Sequence, residues 1–393
     1  MDILDEWNKR LQDYFQKFSK NQFSLKYQNS FLTQTGDIVL KSIKQEDNSK
    51  VKFEVNDLIT ESKKWNLVLN ECQYINNSVS LFLNREIAYR ILITQIIKNG
   101  LVPVYKNQQI CLICDVATDE DLSMTDFRIR AVFKVVSNIL EFNGYQILDS
   151  SSLNKTVPQI VVGKTRSMKL GDVTYLICSP VITNGMTAND YLRKRSNDMQ
   201  LIAQHKYGIR VKDQQRFQAS IASLGRSAAI VDMLESKANS QINMKQEKNK
   251  SSKGAAFILY NYARLSVLFK NFAEKQHNKY YPPSPPATDV DYSLLTEEDE
   301  WHLFWVYVAG FPAIIQQASG GGQLTRIAPH LVLNFACGLV ISLSKYYRRI
   351  RILTENRDHL LPVMFARIYL LKSVHKVLST LLDLMDLEPI TEM

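Results

Sequence analysis

The densest cluster of chemically versatile side chains in this 393-residue chain is Lys345-Tyr346-Tyr347-Arg348-Arg349-Ile350-Arg351. Guanidinium and ammonium groups neutralise phosphates, and exposed tyrosines stack on unpaired bases, so the run suits a nucleic-acid backbone with accessible bases. The same residues also suit an ordinary helix end, where cations favour the carboxyl-terminal dipole. A second basic zone begins with Arg193, Lys194 and Arg195 and continues through Lys206, Arg210, Lys212 and Arg216. It reads either as a strip that follows a phosphate backbone or as a solvated face. A third group is Tyr260, Tyr262 and Arg264. On a helix, an offset of four places Tyr260 and Arg264 on one face and turns Tyr262 away, which makes one of the tyrosines a core residue.

Other chemistries find little support. Cys111 and Cys114 form a lone Cys-x-x-Cys. On a strand, an offset of three points the two thiols to opposite faces, and no second pair or suitably spaced histidine follows, so core packing is the simpler reading. Gly320-Gly321-Gly322 is not followed by Lys-Ser/Thr and fits a loop rather than a phosphate cradle. No Gly-rich loop follows a strand to hold a nucleotide or S-adenosylmethionine. The sequence therefore points to no catalytic residue, no cofactor and no metal. The bulk properties agree with a binding protein: 48 Lys+Arg against 39 Asp+Glu give a formal net charge of +9, which suits a polyanionic partner. No apolar run reaches the ~18 residues of a spanning helix, and the acidic start Met1-Asp2-Ile3-Leu4-Asp5-Glu6 lacks the order of a signal peptide. Five sparse cysteines suggest no disulfide framework, so the expected location is the cytoplasm, with no membrane partner.

The elements that must position these residues follow from periodicity. Trp7, Leu11, Phe15 and Phe18 recur at helical spacing. Val79–Leu83 reads as a strand, and Asn84-Arg85-Glu86 opens a helix that ends near Asn99-Gly100. Residues 109–116 form a short apolar strand. Phe127, Val132, Val135, Val136 and Leu140 then mark a helix ending near Asn143-Gly144, and Tyr145–Leu148 is a second strand, completing a βαβ unit. Residues 185–235 are mainly helical and cationic, and 236–253 are polar and loop-like. From Ala255 the pattern is helical, broken by Tyr281-Pro282-Pro283-Ser284-Pro285-Pro286, because proline lacks the amide donor a helix needs. Leu331, Phe335, Leu339 and Leu343 form one apolar stripe, and Leu371, Val374, Leu378, Leu381 and Met385 another, as in a helix bundle.

The stretch Gly254-Ala255-Ala256-Phe257-Ile258-Leu259-Tyr260-Asn261-Tyr262-Ala263-Arg264-Leu265, with Phe365-Ala366-Arg367-Ile368-Tyr369-Leu370-Leu371 and the closing Glu388-Pro389-Ile390-Thr391-Glu392-Met393, resembles the DALR domain that closes arginyl-tRNA synthetases. The resemblance is closest over 254–393, looser over 79–148 and loosest over 166–235. Leu81-Phe82-Leu83-Asn84 looks like the end of the family's amino-terminal add-on domain, with Ser78, Val79 and Ser80 where polar and aromatic tRNA contacts would stand. The first ATP motif, His-Ile-Gly-His-Leu-Arg, is matched only by Ser123-Met124-Thr125-Asp126-Phe127-Arg128, and Asp126 would repel phosphate. The second is matched by the degenerate Arg166-Ser167-Met168-Lys169-Leu170-Gly171-Asp172-Val173. About 40 residues separate the two, too few for the second half of a doubly wound sheet.

The resemblance implies an α/β amino-terminal half, made of an add-on-like domain over 1–100 and a truncated Rossmann-like remnant over 101–165. A basic helical connector over 166–240 and an all-α DALR bundle over 241–393 follow. It implies a synthetase-like pseudoenzyme without aminoacylation activity. Proteins with this DALR pattern are understood to bind particular arginine tRNAs by the anticodon arm and to recruit a tRNA 3-methylcytidine methyltransferase to the anticodon loop. Under it, Arg367 takes the arginine of the namesake motif, either as an ion-pairing residue or as an RNA ligand. Met393 takes the family's terminal methionine. The competing expectation is a structural scaffold within a synthetase assembly, with little RNA affinity of its own.

Overall fold

A computed structural model describes residues 3–17, 23–42, 55–75, 78–101, 108–116, 122–148, 157–165, 173–207, 214–244 and 253–389. The chain divides into two compact units. The first gathers 1–102, 272–312 and 342–377; the second gathers 103–271, 313–341 and 378–393.

The first unit opens with helix α1 (Ile3–Gln16), which buries Leu4, Trp7, Leu11, Tyr14 and Phe15 as the spacing predicts; Phe18 lies outside the described residues. Four antiparallel strands follow, β1 (Phe23–Tyr27), β2 (Ile38–Ser42), β3 (Leu69–Ile75) and β4 (Ser78–Leu83), in the order β1-β2-β4-β3. Helices α2 (Leu32–Thr35) and α3 (Val55–Ser62) lie between them in sequence, and α4 (Arg85–Asn99) comes after. Asn84 caps α4, its side chain accepting from the Ile87 amide, and Gly100 ends it at φ 72. A cap of this kind satisfies an amide that the helix itself cannot. Val79 and Ser80 are buried in β4, where the resemblance would place tRNA contacts.

The same unit takes in helical residues from the carboxyl-terminal region. Helix α9 (Glu298–His302) runs into a π-helical stretch, Leu303–Ala309. Within the unit, Trp301 Nε1 donates to Asp37 Oδ1 at 2.7 Å, and the Tyr89 ring meets Trp301 and Phe304 at centroid distances of 5.3 and 4.5 Å. The Trp301 indole, buried with its N–H bonded, avoids the penalty of an unmade hydrogen bond, while the Tyr89 hydroxyl is buried without a hydrogen-bond partner.

The second unit is built on a parallel sheet of β5 (Gln108–Asp115), β6 (Tyr145–Leu148), β7 (Gln159–Gly163) and β8 (Val173–Ile177), in the order β6-β5-β7-β8. Helix α5 (Met124–Phe142) connects β5 to β6, so the expected βαβ unit is present. The sheet is larger than the sequence reading foresaw. Strands β7 and β8 add two parallel partners, and β8 falls in the stretch assigned to a helical connector. The two strands are only five residues long, too short to declare a period on their own. Two short parallel strands, β9 (Val181–Ile182) and β10 (Ile242–Asn243), flank the helices α6 (Ala188–Tyr207) and α7 (Gln214–Leu234) in sequence, and β10 lies in the stretch read as loop.

Among the described residues from 253 onward the structure is helical, without strands: α8 (Lys253–His277), α9, the π segment, α10 (Phe311–Ala318), α11 (His330–Arg349) and α12 (Leu361–Leu384), with two short 3-10 turns. Gly320, Gly321 and Gly322, all at positive φ, follow α10 as the expected loop. The α12 stripe, Leu371, Val374, Leu378, Leu381 and Met385, is fully buried. No described helix is long and apolar enough to cross a membrane.

Candidate nucleic-acid interface

The basic–aromatic run sits at the carboxyl end of α11 and just beyond it. The buried face of that helix is Val332, Ala336, Leu339, Leu343 and Tyr346, at alternating steps of four and three. Tyr346 thus continues the apolar stripe, and it is 0% exposed. Its hydroxyl donates to Glu300 Oε1 at 2.9 Å. Burial, reinforced by the neighbouring Glu300 carboxylate, raises its phenol well above the usual range. Tyr346 is therefore a core tyrosine, and the expectation that it stacks on a base is corrected.

Glu300 organises this interior. Its side chain is 0% exposed and also receives Arg367 Nε at 2.8 Å and the Glu297 amide at 3.1 Å. A buried carboxylate is tolerable when paired and fully hydrogen-bonded. Arg367, with a side chain 16% exposed, is held inward by that pair, so the ion-pairing alternative describes it.

Outside this core the cations face solvent. Lys345, Arg348, Arg349 and Arg351 are exposed, and Tyr347 is half-buried. One carboxylate, Asp299, lies among them: Arg349 Nη1 is 2.5 Å from it and Lys345 Nζ 3.4 Å. Arg348 and Arg351 direct their Nε protons to the carbonyls of Ser344 and Leu353 at 3.3 and 3.2 Å. Asp299 pairs with Lys345 and Arg349, and among the described residues Arg348 and Arg351 have no ion pair, which leaves positive charge at a helix carboxyl end, where cations are already favoured. The arrangement can neutralise several phosphates.

A nearby group escaped the sequence reading. Tyr280 is 43% exposed, and Lys275 Nζ lies 5.2 Å from its ring centroid and 5.3 Å from that of Tyr281. Tyr281 is buried and donates to the Thr354 carbonyl at 2.5 Å. Tyr280 is thus an exposed aromatic beside a cation in the same unit. Its signal was present in Tyr280-Tyr281-Pro282, read only as the start of a proline loop.

Other sequence candidates disperse. Tyr262 is buried at 8% exposure, while Tyr260 and Arg264 are half-buried, as the helical offset requires. Tyr262 is thus corrected to a core residue. In α6, Arg193 and Lys194 are exposed, Arg193 pairing with Asp190 at 2.6 Å. Arg195 is buried, with Nη1 3.1 Å from Asp198 and Nη2 3.3 Å from Asp232, and Tyr191 also donates to Asp232 at 2.6 Å. Arg195 is corrected to an internal ion-pair residue, because a buried guanidinium needs its carboxylates. The side chains of Lys206 and Arg216, and the whole of Arg210, Lys212 and Met393, lie outside the described residues.

The place of the first ATP motif has its own geometry. Ser123 caps α5, accepting from the Asp126 amide at 3.1 Å. Burial works against the Asp126 carboxylate, yet the bonds from Lys164, at 2.8 Å, and Ser123 hold its pKa below the usual carboxylate range. Gly163, at the end of β7, packs on Asp115 so closely that a Cβ would stand 2.9 Å from the Asp115 Cβ. Arg128, where the family motif ends in arginine, is 0% exposed and donates to the carbonyls of Ser179, Ser240 and Lys237 at 2.7, 2.7 and 2.8 Å. The counterpart of the second motif lies outside the described residues save for Val173, the first residue of β8. Cys111 is buried in β5 and Cys114 half-buried.

Residues 258–393 match the family model described as the DALR anticodon binding domain. A zebrafish (Danio rerio) protein named DALR anticodon-binding domain-containing protein 3 is 30% identical over 231 residues, covering 56% of this chain and 41% of that protein. The rat (Rattus norvegicus) protein of the same name is 30% identical over 228 residues, 55% of this chain and 42% of its own length. The chain thus spans about two-fifths of the length of the curated relatives it matches. Among solved structures, arginyl-tRNA synthetase from Thermus thermophilus superposes with a TM-score of 0.69 over 98% of this chain and 100% of that chain, at 10% identity. The likeness shows an arginyl-tRNA synthetase-like fold, mixed α/β before a helical DALR region.

Proposed function

We propose that this chain, which carries a DALR anticodon binding domain over 258–393, is a non-catalytic adaptor that grips particular arginine tRNAs by the anticodon arm. The observation that carries the reading is the exposed row Lys345, Arg348, Arg349 and Arg351 inside that domain, with the carboxylate of Asp299 set against four cations. Tyr347 and Tyr280 are aromatic side chains of the same unit, Tyr260 and Arg264 are further candidates on α8, and Arg193 and Lys194 would meet the backbone elsewhere. The domain layout proposed for this role is an add-on-like domain to residue 100, a Rossmann-like remnant to 165, a connector to 240 and the tRNA-binding domain beyond.

The role is binding rather than charging. A carboxylate stands at the amino end of α5, where synthetase chemistry would need to stabilise phosphate charge. Asp126 and Lys164 neutralise each other there, so that lysine offers no net charge to ATP. A protein that holds the anticodon arm without modifying it presents that arm to an enzyme that does. On the resemblance to DALR-containing relatives, the enzyme is a tRNA 3-methylcytidine methyltransferase, and the compartment is the cytoplasm.

The test is binding to purified arginine tRNAs of different anticodons, beside an unrelated tRNA, at two salt concentrations. Selective, salt-sensitive binding that increases methylation by the enzyme supports the adaptor. Equal, weak binding to every tRNA rejects it.

A further inference from the structure

The largest exposure of any big apolar side chain among the described residues belongs to Phe31, at 71%. The residue also adopts a left-handed backbone, φ 53 and ψ 37, which a bulky non-glycine side chain rarely takes. The conformation is held in place: the amides of Gln34 and Thr35 both donate to the Phe31 carbonyl at 2.9 Å. Strain of this kind persists only where surrounding structure fixes it.

Phe31 stands at the edge of a cavity of about 230 Å³ whose other walls are Leu32, Thr33, Glu298, Asp299, His302, Ser342 and Lys345. All of these residues belong to the first unit. The cavity is smaller than the ~300 Å³ from which drug-sized ligand pockets start, a size that suits one flat ring system better than an extended ligand. Its polar groups are largely committed already. Glu298 pairs with Arg85 at 2.7 Å, and Asp299 with Arg349 and Lys345. His302 has Nε2 3.1 Å from the Asn29 carbonyl, so that nitrogen carries the proton and donates. Burial pushes the imidazole pKa down, which keeps the ring neutral near pH 7. The cavity thus combines a projecting aromatic face, two carboxylates held in ion pairs and one lysine, Lys345, that shares Asp299 with Arg349 and also belongs to the basic row.

We propose that this cavity receives one unpaired nucleotide of the bound RNA, its base stacked on Phe31 and its phosphate beside Lys345. The proposal rests on the tRNA-binding reading above. It adds a base contact from the amino-terminal sheet region. Aromatic platforms of this type bind single-stranded nucleotides without strict sequence choice, because every base has a π-face. A base paired in a duplex cannot reach such a platform, so the nucleotide must come from a loop or an end.

The experiment uses the full chain and a tRNA that the wild-type protein binds. Phe31→Ala removes an exposed ring and little packing, so the fold is retained, as circular dichroism checks. The expected result is about tenfold weaker binding with an unchanged salt dependence, because stacking and not charge is lost. Phe31→Trp should restore binding, since it keeps a π-face. A photoreactive phenylalanine analogue at position 31 should crosslink to one loop or terminal nucleotide. Wild-type affinity in Phe31→Ala, or crosslinks confined to duplex nucleotides, overturns this proposal while leaving the tRNA-binding reading intact. Failure of the wild-type protein to bind any tRNA removes both.

Discussion

The amino end of α5 and the carboxyl end of α11 use the same chemistry to opposite effect. At the first, Asp126 meets Lys164 one to one, and the carboxylate takes the helix end where an anion would otherwise be welcome. At the second, Asp299 meets both Arg349 and Lys345, with Arg348 and Arg351 besides, so positive charge remains over. Under the proposed function, the first place offers phosphate no net positive charge and the second does. What separates them is the local excess of charge at a helix terminus, because an ion pair alone adds at most about 1 kcal/mol at an exposed site.

The comparison becomes sharper when Asp299 is set beside its neighbour. Glu300 lies in the same short helix but is fully buried, with Tyr346, Arg367 and the Glu297 amide as donors. Glu300→Ala should therefore give the largest effect of all, a loss of roughly 3–5 kcal/mol, because it leaves Arg367 charged and buried without its partner. Chemical denaturation would read it as an earlier unfolding transition. An unchanged midpoint would mean that Arg367 finds water, and that the interior is less tightly closed than its geometry indicates.

Next in size is the open helix end itself. Replacing Lys345, Arg348 and Arg349 together by alanine should weaken tRNA binding by about 100-fold and flatten its salt dependence by about two to three phosphate equivalents. Unfolding should shift little, since all three side chains are exposed. If affinity falls but the salt slope does not, the cations do not touch phosphate. A smaller effect of opposite sign is expected from Asp299→Asn, which frees Lys345 and Arg349: tighter binding by a few-fold and a steeper salt slope by about one. Weaker binding would mean that the carboxylate orients the two cations rather than competing for them.

These residues also mark what a sequence can and cannot disclose. The apolar stripe of α12 was legible because a helical period repeats over several turns, whereas that of α11 was read only in part: Leu331 and Phe335 are half-buried, and the buried face runs through Val332, Ala336, Leu339, Leu343 and Tyr346. That period alone could have removed Tyr346 from the RNA-facing set, since 339, 343 and 346 continue its steps of four and three. Arg367 was different. Its partner is 67 residues away, inside Glu297-Glu298-Asp299-Glu300, an acidic run that reads as solvated. The burial of Arg195 against Asp232, 37 residues on, was hidden for the same reason. Strands β7 and β8 are only five residues long, and their parallel pairing is a long-range fact that no local window contains. The cavity beside Phe31 unites residues from three separated segments, so none of it was visible before folding.

The smallest expected effect tests the sealed end. Asp126 has its pKa held below the ordinary carboxylate range by Lys164 and Ser123, against the opposing effect of burial. A carboxylate that ionises more readily in the folded state than in the unfolded one stabilises the fold above its unfolded value, near pH ~4. That contribution disappears as pH falls through the still lower folded value. Asp126→Asn should thus cost under about 1 kcal/mol at pH ~7, a difference that disappears as the pH falls below the unfolded value and through the lower folded one. The unfolding curves of the two proteins, compared across that range, measure it. Binding of tRNA should not change, and nucleotide binding should not appear, because Gly163 and Asp115 remain in close contact beside the substituted position. If ATP did bind the Asp126→Asn protein, charge alone would have closed the site, and the two helix ends would differ by one side chain rather than by their surroundings.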